Sequence, residues 1–295
     1  MKFCRFNHDR VGVVQGELIH DVTSLFDRQL SWPTAAGDAI IAQLPAVVAT
    51  GIDLANMPVV ALADVRLESP VANPNKIIGA PVNYHAHIAE ANADSEINSG
   101  RTYTTLEAYG LFLKANSSLI GPHDEISLAF LDRRTDHEVE LVVIIGKMAR
   151  HVSRDDAYDY IAGYTVGLDM TVRGPEVPSY RKSPDGYCVL GPWIVTPDEI
   201  ENPDKLALSL TVNGEVRQTA NTELLILGVA RLIEYASAIY TLHPGDIIMT
   251  GTPAGVGPVE AGDVIDATVE NVGSLHIRVI PAQAANTPEP LAAGH

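Results

Sequence analysis

The run DHEVELVVIIG at residues 136–146 constrains the fold more than any other part of this 295-residue chain. It begins with charges and continues almost wholly in β-branched and aliphatic residues, which predicts a strand about to be buried. Side chains alternate along a strand, so Glu138 and Glu140 share a face. Two like charges side by side repel, and unpaired buried carboxylates are costly. A positive group is therefore expected between them.

A third acid stands in GYTVGLDMTV. With residues 163–173 taken as one strand, Tyr164, Val166, Leu168, Met170 and Val172 form an apolar face. Thr165, Gly167, Asp169, Thr171 and Arg173 form a small, polar one. Asp169 would join Glu138 and Glu140 if the two strands approach. Two arrangements then answer the charge problem. One is a hard divalent cation held by three carboxylates, Mg²⁺ first, then Mn²⁺ or Ca²⁺. The other is the commoner use of E-x-E, a solvated face with Arg or Lys opposite. Zinc is disfavoured, because no Cys or His pair of ligand spacing lies nearby.

Charge limits the partners. A formal net charge of −17 argues against nucleic acid or an anionic membrane as the main one. A small anionic substrate remains compatible, but its site needs cations of its own. The long apolar region at residues 39–63 is broken by Gln, Pro and Asp, so no membrane span is expected. MKFCRFNHDR lacks the continuous apolar centre of a secretory signal. Two cysteines far apart, Cys4 and Cys188, suit a reducing cytosol rather than a disulfide framework.

Residues 1–70 read as a small leading α/β unit. It holds a hairpin in VGVVQGELIHDV with Gly16 in its turn, and a helix over residues 33–52. SPVANPNK, ending at Lys76, has the Pro and Asn content of a linker. From there to residue 281 short β-rich runs dominate: KIIGAPVNY, HEVELVVIIG, GYTVGLDMTV, LALSLTVNGEVRQ and DIIMTGTP. Asn213-Gly214 marks a two-residue hairpin. Helices are expected in SRDDAYDYIAG, where Ser153 and Asp156 form a capping-box pattern, and over NTELLILGVARLIEYASAIYTLHPGD. The latter would be capped by Asn221 or Thr222 and stopped before Pro244. Residues 282–295 read as a disordered tail. The class is β-rich α+β.

Other residues suggest chemistry. In NYHAHIAE, His87 and Glu90 would be neighbours on a helix face, where a carboxylate can orient an imidazole and raise its basicity. An ordinary surface helix turn would carry the same pair. The polar stretch after Glu90, up to LFLK, is either disordered or a lid. YRKSPDGYCVLGPWIV supplies Arg181 and Lys182. Lys182 could polarise a substrate oxygen or simply lie on the surface. TGTPAGVG could present Thr252 and backbone N–H groups to an anion, although it lacks P-loop spacing.

The order of these pieces carries more than any one of them. NYHAHIAE, LFLK, EVELVVIIGK, GYTVGLDMTVR, RKSPDGYCVLGPWIVTPDEI, VNGEVRQ, TLHPGDIIMTGTPAGVG and GDVI succeed one another over residues 70–280. In this the chain resembles the fumarylacetoacetate hydrolase superfamily, and its leading unit resembles the N-terminal domain of the two-domain bacterial members. The resemblance implies a mixed β-sandwich roll and a homodimer. It implies Mg²⁺ or Mn²⁺ on Glu138, Glu140 and Asp169, a catalytic dyad of His87 and Glu90, and an active-site Lys182. Substrate-binding roles fall on Arg173, Thr252 and Lys114. Where many relatives have Asn, Asp and Gln, this chain has Leu168, Gly174 and Glu176. Glu176, if it faced the substrate, would repel an anion.

The implied activity is hydrolysis of a C–C bond in a 2,4-dioxo acid or acylpyruvate, releasing a 2-oxo acid such as pyruvate. Such a step suits breakdown of an aromatic ring-fission product or a deoxy sugar acid. The rival within the superfamily is a decarboxylase or enol–keto isomerase acting on oxaloacetate or a hydroxymuconate-type diacid at the same metal site. A binding protein that keeps the metal and has lost catalysis is a third class.

Overall fold

The computed structural model describes residues 1–28 and 36–281. The chain begins with β1 (Lys2–Phe6), β2 (Arg10–Gln15), β3 (Leu18–Asp21), α1 (Ala39–Ala49), β4 (Val59–Ala61) and β5 (Leu67–Glu68). Next come β6 (Ile77–Gly79), α2 (His85–Ala93), α3 (Ser95–Asn98), α4 (Leu106–Tyr109), β7 (Phe112–Lys114), β8 (Leu119–Ile120) and β9 (Glu125–Ser127). The centre is β10 (Thr135–His137), β11 (Val139–Ile145), β12 (Ile161–Asp169), β13 (Thr171–Val172), α5 (Pro178–Arg181) and β14 (Cys188–Val195). The last part is β15 (Ala207–Val212), β16 (Glu215–Asn221), α6 (Val229–Ile239), β17 (Ile247–Met249), β18 (Gly257–Pro258), β19 (Val264–Val269) and β20 (Gly273–Ile280).

These strands build a β-rich α+β fold of three sheets. The largest has twelve strands in the order β4-β3-β2-β1-β14-β12-β11-β17-β6-β7, with β5 on β1 and β8 on β14. A five-stranded sheet runs β16-β15-β19-β20-β9, and a small one β13-β10-β18. The leading strands continue the large sheet through Phe3, which pairs with Ile194.

The apolar run from Leu141 to Ile145 in β11 has a simple cause: both faces of the strand are covered. Val139, Leu141, Val143 and Ile145 pack with Leu210, Ile265, Ala267 and Ile277 of the five-stranded sheet. Val142 and Ile144 pack on the other side with Met249 and with Ile41 and Leu44 of α1. Leu141 is fully buried, so truncating it to Ala would cost ~2–5 kcal/mol.

Several local expectations need correction. Residues 163–173 are not one strand: β12 ends at Asp169, and Thr171–Val172 crosses to pair with β10 in the small sheet. Its polar face is as buried as its apolar one. The Ser153–Asp156 pair forms, at 2.6 Å, but closes only a turn before a 3-10 segment. The chain is already extended at Ile161, where β12 begins. The long helix expected from Asn221 is much shorter. Residues 215–221 alternate as β16, Asn221 caps a 3-10 turn, and α6 starts only after Gly228. Asp38 caps α1 by accepting the N–H groups of Ile40 and Ile41. Residues 33–35 of the expected first helix, and the tail 282–295, lie outside the described residues. Both expected hairpins form, with Gly16 at φ +57° and with Asn213 and Gly214 at φ +53° and +81°.

Candidate active site

Antiparallel pairing of β11 with β12 sets Val139 against Leu168 and Glu140 against Gly167. The Asp169 N–H donates to the Glu138 carbonyl at 2.9 Å. Alternation then turns Glu138 and Glu140 to the same side as Asp169. One oxygen from each of the three carboxylates lies within 4.8 Å of the others. All three residues are at most 3% exposed. Gly167 lets the strands close, since a Cβ there would come within 2.5 Å of Val142 Cγ2.

Cations gather round two of these acids. Lys182 Nζ donates to Glu138 Oε2, Asp169 Oδ2 and Thr171 Oγ1, each at 2.7 Å. Arg173 donates to Asp136 at 2.7 Å and to Glu138 at 3.0 Å. Lys114 is paired with Asp169 and donates to the Tyr187 carbonyl. Burial alone would raise the Glu138 carboxyl, but Lys182 and Arg173 outweigh it and hold it down at about 2. Burial also lowers Lys182, yet Asp169 and Glu138 more than restore it and keep the ammonium charged.

Glu140 differs. Among the described residues no cation contacts it, and its oxygen accepts one N–H, from Gly251 at 2.6 Å. Burial, reinforced by the charge of Asp169, pushes its carboxyl well above the usual range. A buried all-oxygen set with one carboxylate short of a counter-charge is the donor chemistry of a hard dication. The residues fit such an ion: Glu138, Glu140 and Asp169 would hold it.

The second cluster stands on α2. His87 Nδ1 lies 2.9 Å from Glu90 Oε2, and Glu90 Oε1 accepts the Gly255 N–H at 2.8 Å. With Nδ1 engaged, Nε2 is the ring nitrogen left for chemistry. His87 is buried and lines the same pocket as the three acids, together with Ile97, Tyr103, Phe112, Arg181 and Thr252. Residues 91–111 thus form the end of α2, α3, α4 and their connections, and bring Ile97 and Tyr103 to the pocket wall.

The glycine-rich loop after β17 does something other than bind a free anion. Its Gly251 and Gly255 N–H groups are given to Glu140 and Glu90. Gly255 has φ +99°, and a Cβ there would stand 2.0 Å from the Arg217 carbonyl oxygen. The Thr252 hydroxyl donates to the Val139 carbonyl at 2.9 Å and accepts from Gln218 at 2.7 Å. Lys114 lies behind Asp169 and is not part of the pocket wall, whereas Arg173 is. Glu176 turns away, paired with Arg133 at 3.0 and 2.7 Å. Sequence reasoning overlooked Phe112, whose ring lies 5.2 Å from Lys182 Nζ, and the Gln218 clamp on Thr252. The LFLK and VNGEVRQ motifs contain both residues, but nothing in them says that they face the site.

Residues 76–280 match the family model described as fumarylacetoacetate (FAA) hydrolase C-terminal. The chain belongs to the fumarylacetoacetate hydrolase family. A maleylpyruvate hydrolase of Aquipseudomonas alcaligenes is 54% identical over 95% of this chain and 99% of its own length. A 2,4-didehydro-3-deoxy-L-rhamnonate hydrolase of a Sphingomonas strain is 36% identical over 95% of this chain and 96% of its own. Among solved structures, maleylpyruvate hydrolase from Sphingobium sp. SYK-6, in complex with manganese(II) and pyruvate, superposes with a TM-score of 0.83. It is 41% identical and covers 96% of this chain and 100% of its own. This member of the fumarylacetoacetate hydrolase family is a metal-dependent hydrolase of carbon–carbon bonds.

Proposed function

We infer that the chain is a Mg²⁺-dependent acylpyruvate hydrolase that releases a 2-oxo acid such as pyruvate, and that it works as a cytoplasmic homodimer. The observation that carries the reading is the meeting, in one pocket, of the under-compensated carboxylate set with the His87–Glu90 pair. Glu138, Glu140 and Asp169 would hold a dication, which would supply Lewis acidity to the 2-oxo acid end of the substrate.

The chain's own residues do the rest. Glu90, fixed by the Gly255 N–H, orients His87 through Nδ1. His87 Nε2 takes a proton from water, and the hydroxide attacks the distal carbonyl of the dioxo acid. The bond between that carbonyl carbon and the adjacent methylene breaks, and its electron pair leaves with the 2-oxo acid as an enolate, which gains a proton to become the keto product. Lys182, kept protonated by its acid neighbours, offers N–H groups to developing oxyanion charge. Ile97, Tyr103 and Phe112 limit bulk water in the pocket.

Mg²⁺ is favoured by an oxygen-only donor set, and Mn²⁺ or Ca²⁺ would occupy the same ligands. Both cysteines are free and buried, which accords with a reducing compartment, and no helix among the described residues is long and apolar enough to cross a membrane. The test is NMR product analysis with acylpyruvates, with Mg²⁺ or with EDTA. Pyruvate plus a carboxylic acid, formed only with metal, is expected. Carbon dioxide release or an isomer of unchanged mass as the sole product would overturn the hydrolase reading. Light scattering should return twice the 31.6 kDa chain mass.

A further inference from the structure

Three cations line the pocket: Arg173, Arg181 and Lys182. Two are spoken for, Arg173 by Asp136 and Glu138, and Lys182 by Glu138 and Asp169. Arg181 is not. It is 3% exposed, and no carboxylate among the described residues forms an ion pair with it. Its Nε donates to the Glu176 carbonyl at 2.9 Å and one terminal nitrogen to the Val172 carbonyl at 3.3 Å. The other terminal nitrogen finds no acceptor among the described residues. The two acids close enough in sequence to serve are engaged or remote: Glu176 with Arg133, and Asp185 without any ion pair to it.

A guanidinium this buried, with two carbonyl acceptors and no carboxylate in ion-pair contact among the described residues, is an expensive arrangement. Two carbonyl bonds hold its plane in place without cancelling its charge, which leaves a fork suited to an incoming carboxylate. The 2-oxo acid head already has its partners in the dication set and Lys182. A second uncompensated cation calls for a second anionic group. Tyr103, from the stretch between α3 and α4, lies near Arg181 and lines the same pocket.

Resting on the acylpyruvate reading above, we propose that Arg181 binds the distal carboxylate of the substrate, so that the enzyme selects dioxo diacids over acylpyruvates with an uncharged acyl end. Arg181 is then a specificity-determining residue. Its neighbour Lys182 serves the reacting end and Arg181 the far end.

The test compares wild type, Arg181→Gln and Arg181→Lys, each Mg²⁺-loaded and checked for its thermal melt. The substrates are maleylpyruvate, whose acyl end carries a carboxylate, and acetylpyruvate, whose acyl end does not. The wild-type preference for the diacid in kcat/KM should fall by about 100-fold in Arg181→Gln and by less in Arg181→Lys, which keeps the charge but not the fork. Equal losses on both substrates, or an unchanged preference, would overturn the proposal. Calorimetry with 2-oxoadipate and 2-oxohexanoate, equal in chain length and lacking a cleavable dioxo group, provides a second readout. Arg181→Gln should weaken the diacid at least about tenfold more than the monoacid. Should wild type cleave neither acylpyruvate, the function reading falls by itself. Loss of the calorimetric preference in Arg181→Gln would still support the anion site, and its survival would overturn it.

Discussion

The two halves of the site are built in opposite ways. Glu138, Glu140 and Asp169 lie on or beside central strands of the large sheet, almost without exposure, between apolar layers on both faces. His87, Glu90 and Ile97 come from short helices in a polar stretch, and the wall residue Tyr103 from the connection between α3 and α4. Side chains that tie that stretch down include Asn92, to the Tyr103 backbone at 2.8 and 2.7 Å, Arg101, to the Pro175 carbonyl, and Arg134, to Asp94 and Glu96 at 2.9 and 2.8 Å. Like charges can be kept together only by a rigid, dry frame, and substrate can enter only through a part that yields. The difference teaches where the molecule spends rigidity.

Replacing Glu140 by Ala strikes the rigid half and should have the largest effect. Dication affinity measured by calorimetry and turnover should be lost together, the latter by about 10³-fold or more. Retention of both would refute the metal set. His87→Ala belongs to the other half. It should lower kcat by about 10²- to 10⁴-fold while dication affinity stays at the wild-type value, which separates the two halves experimentally. A parallel loss of metal would show that they are one unit.

Asn92→Ala loosens the yielding half by releasing the Tyr103 backbone, and it has no contact with the acids of the metal set or their cations. KM should rise several-fold, and proteolysis within residues 94–110 should quicken, with a stability loss of about 1 kcal/mol. In wild type, 2-oxoadipate should slow the same cleavage; cutting that ligand does not change would remove the case for closure over the substrate. The smallest effect is expected at the rim. Glu176 is held below its usual range by Arg133. A carboxylate whose folded pKa lies below its unfolded one stabilises the fold above the unfolded value, near 4.5, and loses that contribution as pH falls through the folded one. Glu176→Gln should therefore cost under ~1 kcal/mol at pH 7, since the pair is about one-third exposed, and nothing in strong acid. Denaturation curves at the two pH values check the sign.

The rigid half was far more legible in the sequence than the yielding half. An acid pair at a spacing of two beside an aliphatic run puts both acids on one face, because alternation acts on both; whether an ion or opposing cations answer them is decided only by what the fold sets beside that face. Asp169 followed from the same rule, although the register that sets Leu168 against Val139 is a matter of long-range pairing. Local pattern failed where tertiary pairing overrode it. Asn221 and the apolar residues beyond it look like one capped helix, yet Asn221 still pairs with Ala207 at the end of β16 and caps only a 3-10 turn, and α6 begins after Gly228. Ser153 and Asp156 make their capping contact with no helix behind it. Arg181 stood in plain view beside Lys182, yet its importance lies in a missing partner, and that is visible only when Glu176 is seen to face Arg133.

The loop after β17 has one further consequence. Gly251 grips Glu140 and Gly255 grips Glu90, four residues apart on the same segment. The positions of the acid that would face the ion and the acid that orients the imidazole are thus not two independent variables. One backbone segment ties the two together, so a side chain forced in at Gly255 would disturb both. Such a frame tolerates variation in the wall opposite. Residues 91–111 and the Arg181 end can be retuned for a different acyl group without disturbing the alignment of the chemistry.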